Sequence, residues 1–348
     1  MASARNPKDS MKSTWRTANR DEWSISHWAL ELLNAHHISL DKEVPVHTKQ
    51  DKIPYMPQLS LNIWVLFYAF IPVLINQAYF SYTGHNLGPF ALFHFYFFAF
   101  NAILIYQIRL LRRLGHTYGF LDGDQHERDG VPDVGVGKVA ASLYKTTGSR
   151  LALSLYLSFN ASQAPMAMQW AWLPLEIGLY GIVLDFWFYW YHRLMHDVSF
   201  LWKYHRTHHL TKHPNPLLAA YADHEQEFFD MVGVPLMTYL SLRFMGLPMG
   251  FYEWWICHAY VAFAEVFGHS GLRIHMTVPS TLSWLLQMLN AEIVIEDHDL
   301  HHRKGWRKSH NYGKQTRLWD RIFGTCHDRI ESVDSNIDYI NTVNMPLF

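Results

Sequence analysis

An all-α, multi-pass membrane helical bundle with a cytosolic, histidine-rich cap is the fold this sequence predicts. Three observations point to it. No Asp, Glu, Lys or Arg occurs from Ile53 to Ile108. That stretch holds two apolar runs, 61–80 and 89–108, each of about 20 residues and so long enough to cross ~30 Å of hydrocarbon as a helix. Apolar residues make up 49% of the chain and charged residues only 17%, against ~25% in soluble domains. Eight of the 23 histidines fall into three tight boxes: HRLMH (His192, His196), HRTHH (His205, His208, His209) and HDLHH (His298, His301, His302).

The elements follow in order. Residues 1–52 form a polar cytosolic segment with an amphipathic helix around 24–37. The first sixteen residues contain no apolar stretch, so no secretory signal peptide is expected. Residues 53–150 comprise the transmembrane hairpin and a charged, Gly-containing cytosolic connection over 109–150. Residues 151–328 form a di-metal catalytic domain, and 329–348 a tail. Within the catalytic domain a charge-free window, 151–175, runs into IGLYGIVLDFWFYWYH and the first box. Segments 228–247 and 251–271 are apolar but carry Asp230, Arg243, Glu253 and Glu265, which reads as spanning or deeply embedded. In all, about four to six membrane segments are expected.

Topology comes from charge. The loop between the first two apolar runs has no Lys or Arg, whereas Arg109, Arg112 and Arg113 follow the second at once, so both ends of the hairpin face the cytosol. Basic residues around the boxes (Arg193, Lys203, Arg206, Lys212, Arg303, Lys304) place those on the cytosolic face too. Parity then requires a second hairpin, entering around 151–167 and returning along 170–191. The net charge of −1 offers no basic face for nucleic acid, and Cys257 and Cys326 cannot build a disulfide framework.

The boxes read as metal ligands. By chance 23 histidines in 348 residues give only about 0.1 of a HxxHH box, and here there are two. His192 and His196, four apart, share a helical face. In a HxxHH box the middle ring points about 100° away from the face of the others, so one box can serve two ions. A nitrogen-rich set suits Fe, Zn or Cu, and so many histidines without paired cysteines favour two open metal sites over a closed structural zinc. His269, in FGHSG at the cytosolic end of the last apolar segment, is expected as a ninth ligand. Asp185 extends the face of the first box inward, and a carboxylate there is expected to accept an imidazole N–H. His224 and His275 read as hydrogen-bonding residues, and His94 and His258 as packing residues.

Boxes of this kind, in this order and amid apolar spans, resemble the fatty acid hydroxylase/sterol desaturase superfamily of membrane non-haem di-iron oxidases. The DFWFYWYHR run, the FGHSG element and the tail NYGKQTRLWDRIFGT (311–325) fit the same family. The resemblance covers roughly 150–328; YADHEQE departs from the family's pattern around Asp223 and His224. It implies two Fe ions (with Zn able to replace them on purification), O2 as co-substrate, and hydroxylation or desaturation of a lipid or sterol-like substrate. It also implies cytochrome b5 with its NAD(P)H reductase as electron donors, and the sequence itself shows no nucleotide fingerprint. The expected location is the endoplasmic reticulum membrane. Asp320 and Trp319 in the tail are expected as positioning residues, with Asp185 and Asp320 the carboxylates assigned to catalysis. Two other classes compete. A metal transporter needs polar ligands along a path at mid-bilayer, whereas a zinc hydrolase needs a Glu base inside a box, and none of the three has one.

Overall fold

The computed structural model describes residues 7–123 and 125–348; the first six residues of the polar N-terminal segment and Asp124 of the connection lie outside the described residues. Its regular structure is helical apart from one two-residue strand pair. Helix α1 (Ile25–Leu33) starts where His27 Nδ1 accepts the Ser24 N–H (3.1 Å) and stops at Asn34, in the left-handed region at φ 47°. Helices α2 (Gln58–Thr83) and α3 (Pro89–Tyr118) are the two described helices long and apolar enough to cross a membrane. Both outrun their apolar windows and end at Gly84 and Gly119; α2 runs on through Pro72 in its interior. At Gly119, φ is +78° and a Cβ would stand 2.6 Å from the Pro45 carbonyl oxygen, so only glycine fits. Their outer faces are large and apolar: Tyr82, Phe90 and Phe98 are 93%, 80% and 65% exposed, as expected of a surface covered by lipid.

The charged connection is shorter than predicted. Helix α3 continues to Tyr118, and its arginines are used: Arg109 Nη2 donates to Leu33 O (2.6 Å) and Arg112 Nη1 to Asn34 Oδ1 (3.0 Å), closing the C-terminus of α1. After the short α4 (His126–Asp129), α5 (Val136–Ser158) begins well before the charge-free window and carries Lys138, Lys145 and Arg150. Helix α6 (Leu173–Asp197) returns to the first box. The N-terminal segment is also better packed than its polarity suggests, with Trp15, Trp23 and Leu30 buried.

The apolar segment 228–247, expected as spanning or deeply embedded, belongs to a helical run without interruption from His224 to Phe244. It forms α8 (His224–Phe228), a π-helical turn (Phe229–Gly233) and α9 (Val234–Phe244). Helix α10 (Phe251–Gly268) is deeply embedded in protein: Trp254 and Trp255 are buried, and the helix packs on α2, α3, α5, α6 and α12. After α11 (Ser283–Met288) come α12 (Ile295–Lys304), bearing the third box, and α13 (Leu318–Phe323).

The tail ties the two ends together. Strands β1 (Ile53–Pro54) and β2 (Ile337–Asp338) pair in parallel, and Met345 N donates to Ser60 Oγ at the start of α2 (2.6 Å). Glu296, in the first turn of α12, accepts the N–H groups of Ile330, Glu331 and Ser332 (2.9, 2.8 and 2.6 Å), and Asp297 pairs with Arg329. This clasp fixes the helix that carries His298, His301 and His302.

Candidate metal centre

Five elements converge on one buried volume. The last turns of α6 present His192 and His196. Helix α7 (Ser199–His205) and the 3₁₀ turn after it present His205, His208 and His209, α12 presents the third box, and His269 caps the C-terminus of α10. All nine histidines are buried.

The rings divide into two groups: His192, His196, His205, His209 and His301 in one; His208, His269, His298 and His302 in the other. Within each, one nitrogen per ring lies within 4.8 Å of all the others. Helical geometry explains the division. In both HxxHH boxes the first and last rings share a group, and the middle ring, His208 or His301, turns to the other.

The nitrogen spacing fits metal coordination. His192 Nε2 stands 3.0 Å from His205 Nε2, His301 Nε2 3.0 Å from His209 Nε2, and His269 Nε2 3.0 Å from His298 Nε2 and 3.4 Å from His208 Nε2. Two nitrogens each ~2.1 Å from a shared ion are ~3.0 Å apart at a right angle and ~3.4 Å apart at the tetrahedral angle. In five of the nine rings the other nitrogen is tied back to the main chain. His192 Nδ1 donates to Tyr312 O (2.8 Å), His196 Nδ1 to Trp306 O (2.8 Å), His301 Nδ1 to His310 O (2.6 Å), His302 Nδ1 to Thr211 O (3.0 Å) and His269 Nδ1 to Glu265 O (2.9 Å). These bonds fix the tautomer and leave a lone pair on Nε2. On His196 and His302 that Nε2 is buried with no hydrogen-bond partner, a costly arrangement unless an ion takes the lone pair. Burial, with repulsion from neighbouring rings, holds His205, His209, His298, His301 and His302 well below the usual imidazole range and His208 at about 3. These rings are therefore neutral at pH 7, the form that binds metal.

Asp185 does not accept an imidazole N–H. Its oxygens take the N–H groups of Lys314 (2.7 Å), Gln315 (3.0 Å) and Thr316 (3.1 Å) and the Thr316 hydroxyl (3.0 Å). Asp320 takes Tyr312 N (2.8 Å), Gly313 N (2.8 Å) and Thr325 Oγ1 (2.7 Å). Both carboxylates thus hold the 312–316 loop, and the loop's Tyr312 carbonyl holds His192. Neither hydrogen-bonds to a histidine of either group. Gly313 lets the loop close, since a Cβ there would stand 2.8 Å from Asp185 Oδ2 and 2.4 Å from Thr316 O. Trp319 Nε1 donates to Ile182 O (2.9 Å), packing α13 on α6. His224 sits by Glu227 and Lys145, His275 against Tyr55, His258 against Trp254, and His94 on its own helix, all outside both groups.

Sequence reasoning missed one cluster. Lys314 Nζ lies 2.6 Å from Asp230 and 3.0 Å from Glu265, and Glu265 Oε1 lies 3.8 Å from His269 Nδ1. The two acids stand out as charges within apolar runs, but the cation that joins them comes from the distant tail.

Comparison with known proteins agrees with this site. Residues 177–325 match the family model "Fatty acid hydroxylase". The chain is 43% identical over 323 residues to fatty acid hydroxylase vlmA from Lecanicillium sp, covering 87% of this chain and 88% of that protein. It is 30% identical to methylsterol monooxygenase 2-2 from Arabidopsis thaliana (55% of this chain, 69% of that one) and 25% identical to human alkylglycerol monooxygenase (54% and 38%). No solved structure matches the chain. Similarity along nearly the whole of both chains, over a segment that carries all nine clustered histidines, establishes that this protein belongs to the fatty acid hydroxylase family.

Proposed function

We propose that the two histidine groups hold two iron ions and that the protein uses O2 to hydroxylate or desaturate a lipid or sterol-like substrate. The observation that carries this is the five-plus-four division of nine buried imidazoles, most of them anchored through Nδ1. Five nitrogens exceed the four of a closed zinc shell, and a cysteine-free, open set suits iron. The printed activities of the relatives, a fatty acid hydroxylase, a methylsterol monooxygenase and an alkylglycerol monooxygenase, support the substrate class.

Bound iron would supply the activation of O2; the protein supplies ligand geometry and a dry enclosure. Hydroxylation balances as R–H + O2 + two electrons + two protons giving R–OH + H2O; desaturation removes a second hydrogen and yields two waters. The electrons come from a partner, for which cytochrome b5 and its NAD(P)H reductase are our choice. The 312–316 loop orients His192, and Lys314, Glu265 and Asp230 form a charged network beside His269. We place the catalytic unit at 151–328, in the endoplasmic reticulum membrane with the boxes facing the cytosol, on the basis of the arginines after α3.

The test is metal content and product together. Protein purified anaerobically from iron-replete cells should hold two Fe per chain, and cells expressing it should contain an oxidised lipid absent with His298→Ala. Two zinc ions with no O2 consumption under any reductant, or identical lipid profiles for the two proteins, would overturn the reading.

A further inference from the structure

One residue joins the five-histidine group to the protein surface. Five main-chain carbonyls anchor a histidine through Nδ1, and of the residues that carry them Trp306 alone is exposed, at 39%; Tyr312 and Thr211 are buried, His310 and Glu265 half-buried. Trp306 also reaches the group through its ring. That ring packs on Trp202 (centroids 5.1 Å apart), and the buried Trp202 ring packs in turn on His196 (5.2 Å) and His209 (5.7 Å). An aromatic path two rings long therefore runs from solvent to two members of the group.

Trp306 stands in the wall of an open cleft of about 980 Å³ that reaches down to His209. The surroundings are basic. Segments 199–212 and 304–308 hold six cations, Lys203, Arg206, Lys212, Lys304, Arg307 and Lys308, and no acid. Lys212 Nζ lies 4.8 Å and the Arg206 guanidinium carbon 5.8 Å from the centre of the Trp306 ring, and the other four cations are exposed. Asp9 and Glu127 share the cleft wall, but Asp9 is paired with Arg206, so the face keeps a net positive charge. An exposed tryptophan among cations has the composition of a binding hot spot, and a positive face draws an acidic partner.

We infer that electrons enter here: a small acidic one-electron carrier protein docks on Trp306, and Trp306 and Trp202 conduct its electrons to the five-histidine group. The need for electrons rests on the function proposed above; the docking rests on the face alone. Each encounter oxidises the carrier by one electron and passes that electron to the ion held by the group, so two encounters supply the two electrons of the balanced reaction. The last step is short, because the entry residue is itself the hydrogen-bond partner of His196.

Docking is tested apart from turnover. Full-length protein loaded with zinc, which accepts no electron, is placed in phosphatidylcholine nanodiscs and titrated with the soluble haem domain of cytochrome b5, whose surface is acidic. Trp306→Ala should weaken binding about 30-fold, as loss of a hot-spot tryptophan implies, and Trp306→Phe should recover part of it. Reversing three charges together (Lys304→Glu, Arg307→Glu, Lys308→Glu) should slow association about tenfold or more at low salt and remove most of its salt dependence. Zinc content equal to wild type shows that each variant keeps its site, since Trp306→Ala retains the main-chain carbonyl on His196. Wild-type binding by either variant, equally tight binding of the basic carrier cytochrome c, or loss of binding when phosphatidylserine replaces phosphatidylcholine (a lipid contact instead) overturns the docking. Conduction is read by stopped flow on iron-loaded protein. Trp202→Leu should bind the haem domain as wild type does yet lose most of the rate of haem reoxidation, while dithionite reduces both proteins alike; an unchanged rate overturns the path. A protein that docks the haem domain on Trp306 but, iron-loaded and reduced with dithionite, oxidises no lipid with O2 refutes the function proposed above and leaves the docking standing.

Discussion

Asp185→Asn should release one metal ion and spare the other. The carboxylate accepts three main-chain N–H groups and one hydroxyl from the 314–316 segment, at 2.7 to 3.1 Å. Asparagine keeps the shape but replaces one acceptor oxygen with an NH2 donor. The Thr316 hydroxyl can rotate to accept from it; the Thr316 N–H cannot. One buried N–H left unmet costs ~1–3 kcal/mol, and the remaining bonds lose charge assistance worth ~1 kcal/mol each, about 3–5 kcal/mol in total. The damage falls on the loop whose Tyr312 carbonyl orients His192, a member of the five-histidine group alone. Loss of such an orienting partner typically lowers metal affinity about 10- to 100-fold. Titrating purified protein with chelator and counting metal per chain should show two similar release steps in wild type. In Asp185→Asn one step should move to about 10- to 100-fold lower chelator while the other stays. Parallel movement of both steps, or of neither, would refute the chain of contacts from Asp185 to His192.

Two further outcomes concern parts remote from the metals. His36 is buried and held at about 3, by burial first and then by Arg16 and other nearby cations; it therefore contacts Glu31 (3.1 Å) as a neutral ring. The unfolded chain protonates near pH 6.5 and the folded one does not, so stability falls as pH drops from about 6.5 towards 3, by ~1.4 kcal/mol per pH unit. Hydrogen exchange in 25–40 should accelerate over that window, and His36→Gln should flatten the dependence. The Arg273–Glu331 pair (2.9 Å, both buried) clamps the tail, and Glu331→Gln should destabilise the protein by ~3–5 kcal/mol because Arg273 is left buried and uncompensated. Thermal unfolding in detergent would check it, and an unchanged midpoint would show that the pair contributes nothing.

Much of the site is legible from spacing alone. Four-residue spacing places His192 with His196, and the ~100° step explains why His208 and His301 cross to the opposite group. The helical hairpin is legible because α2 and α3 are nearly free of charge over a membrane's width. What stays hidden is of two kinds. Main-chain carbonyls orient the rings, at Tyr312, Trp306, His310 and Thr211, and a carbonyl has no letter in the sequence. Partners such as Lys314 for Glu265, or the loop around Asp185, come from segments far along the chain. The π-helical turn is also invisible, since FFDMVGVPLMTYLSLRF reads as one apolar run with its Pro235 tolerated at the first turn of α9.

The division of each HxxHH box between the two groups has a consequence for how the protein comes into being. Neither group is complete until α12 has been made, because His301 belongs to one and His298 and His302 to the other. His298 follows His209 by 89 positions, so at ~5–20 residues per second the first five box histidines wait roughly 4 to 18 seconds for their partners. Through that interval the nascent chain offers four of the five histidines of one group and a single histidine, or two once His269 is made, of the other. On the metal reading proposed above, the second group would fill only once α12 is made, and the clasp of the tail on Glu296 and Asp297 would follow later still.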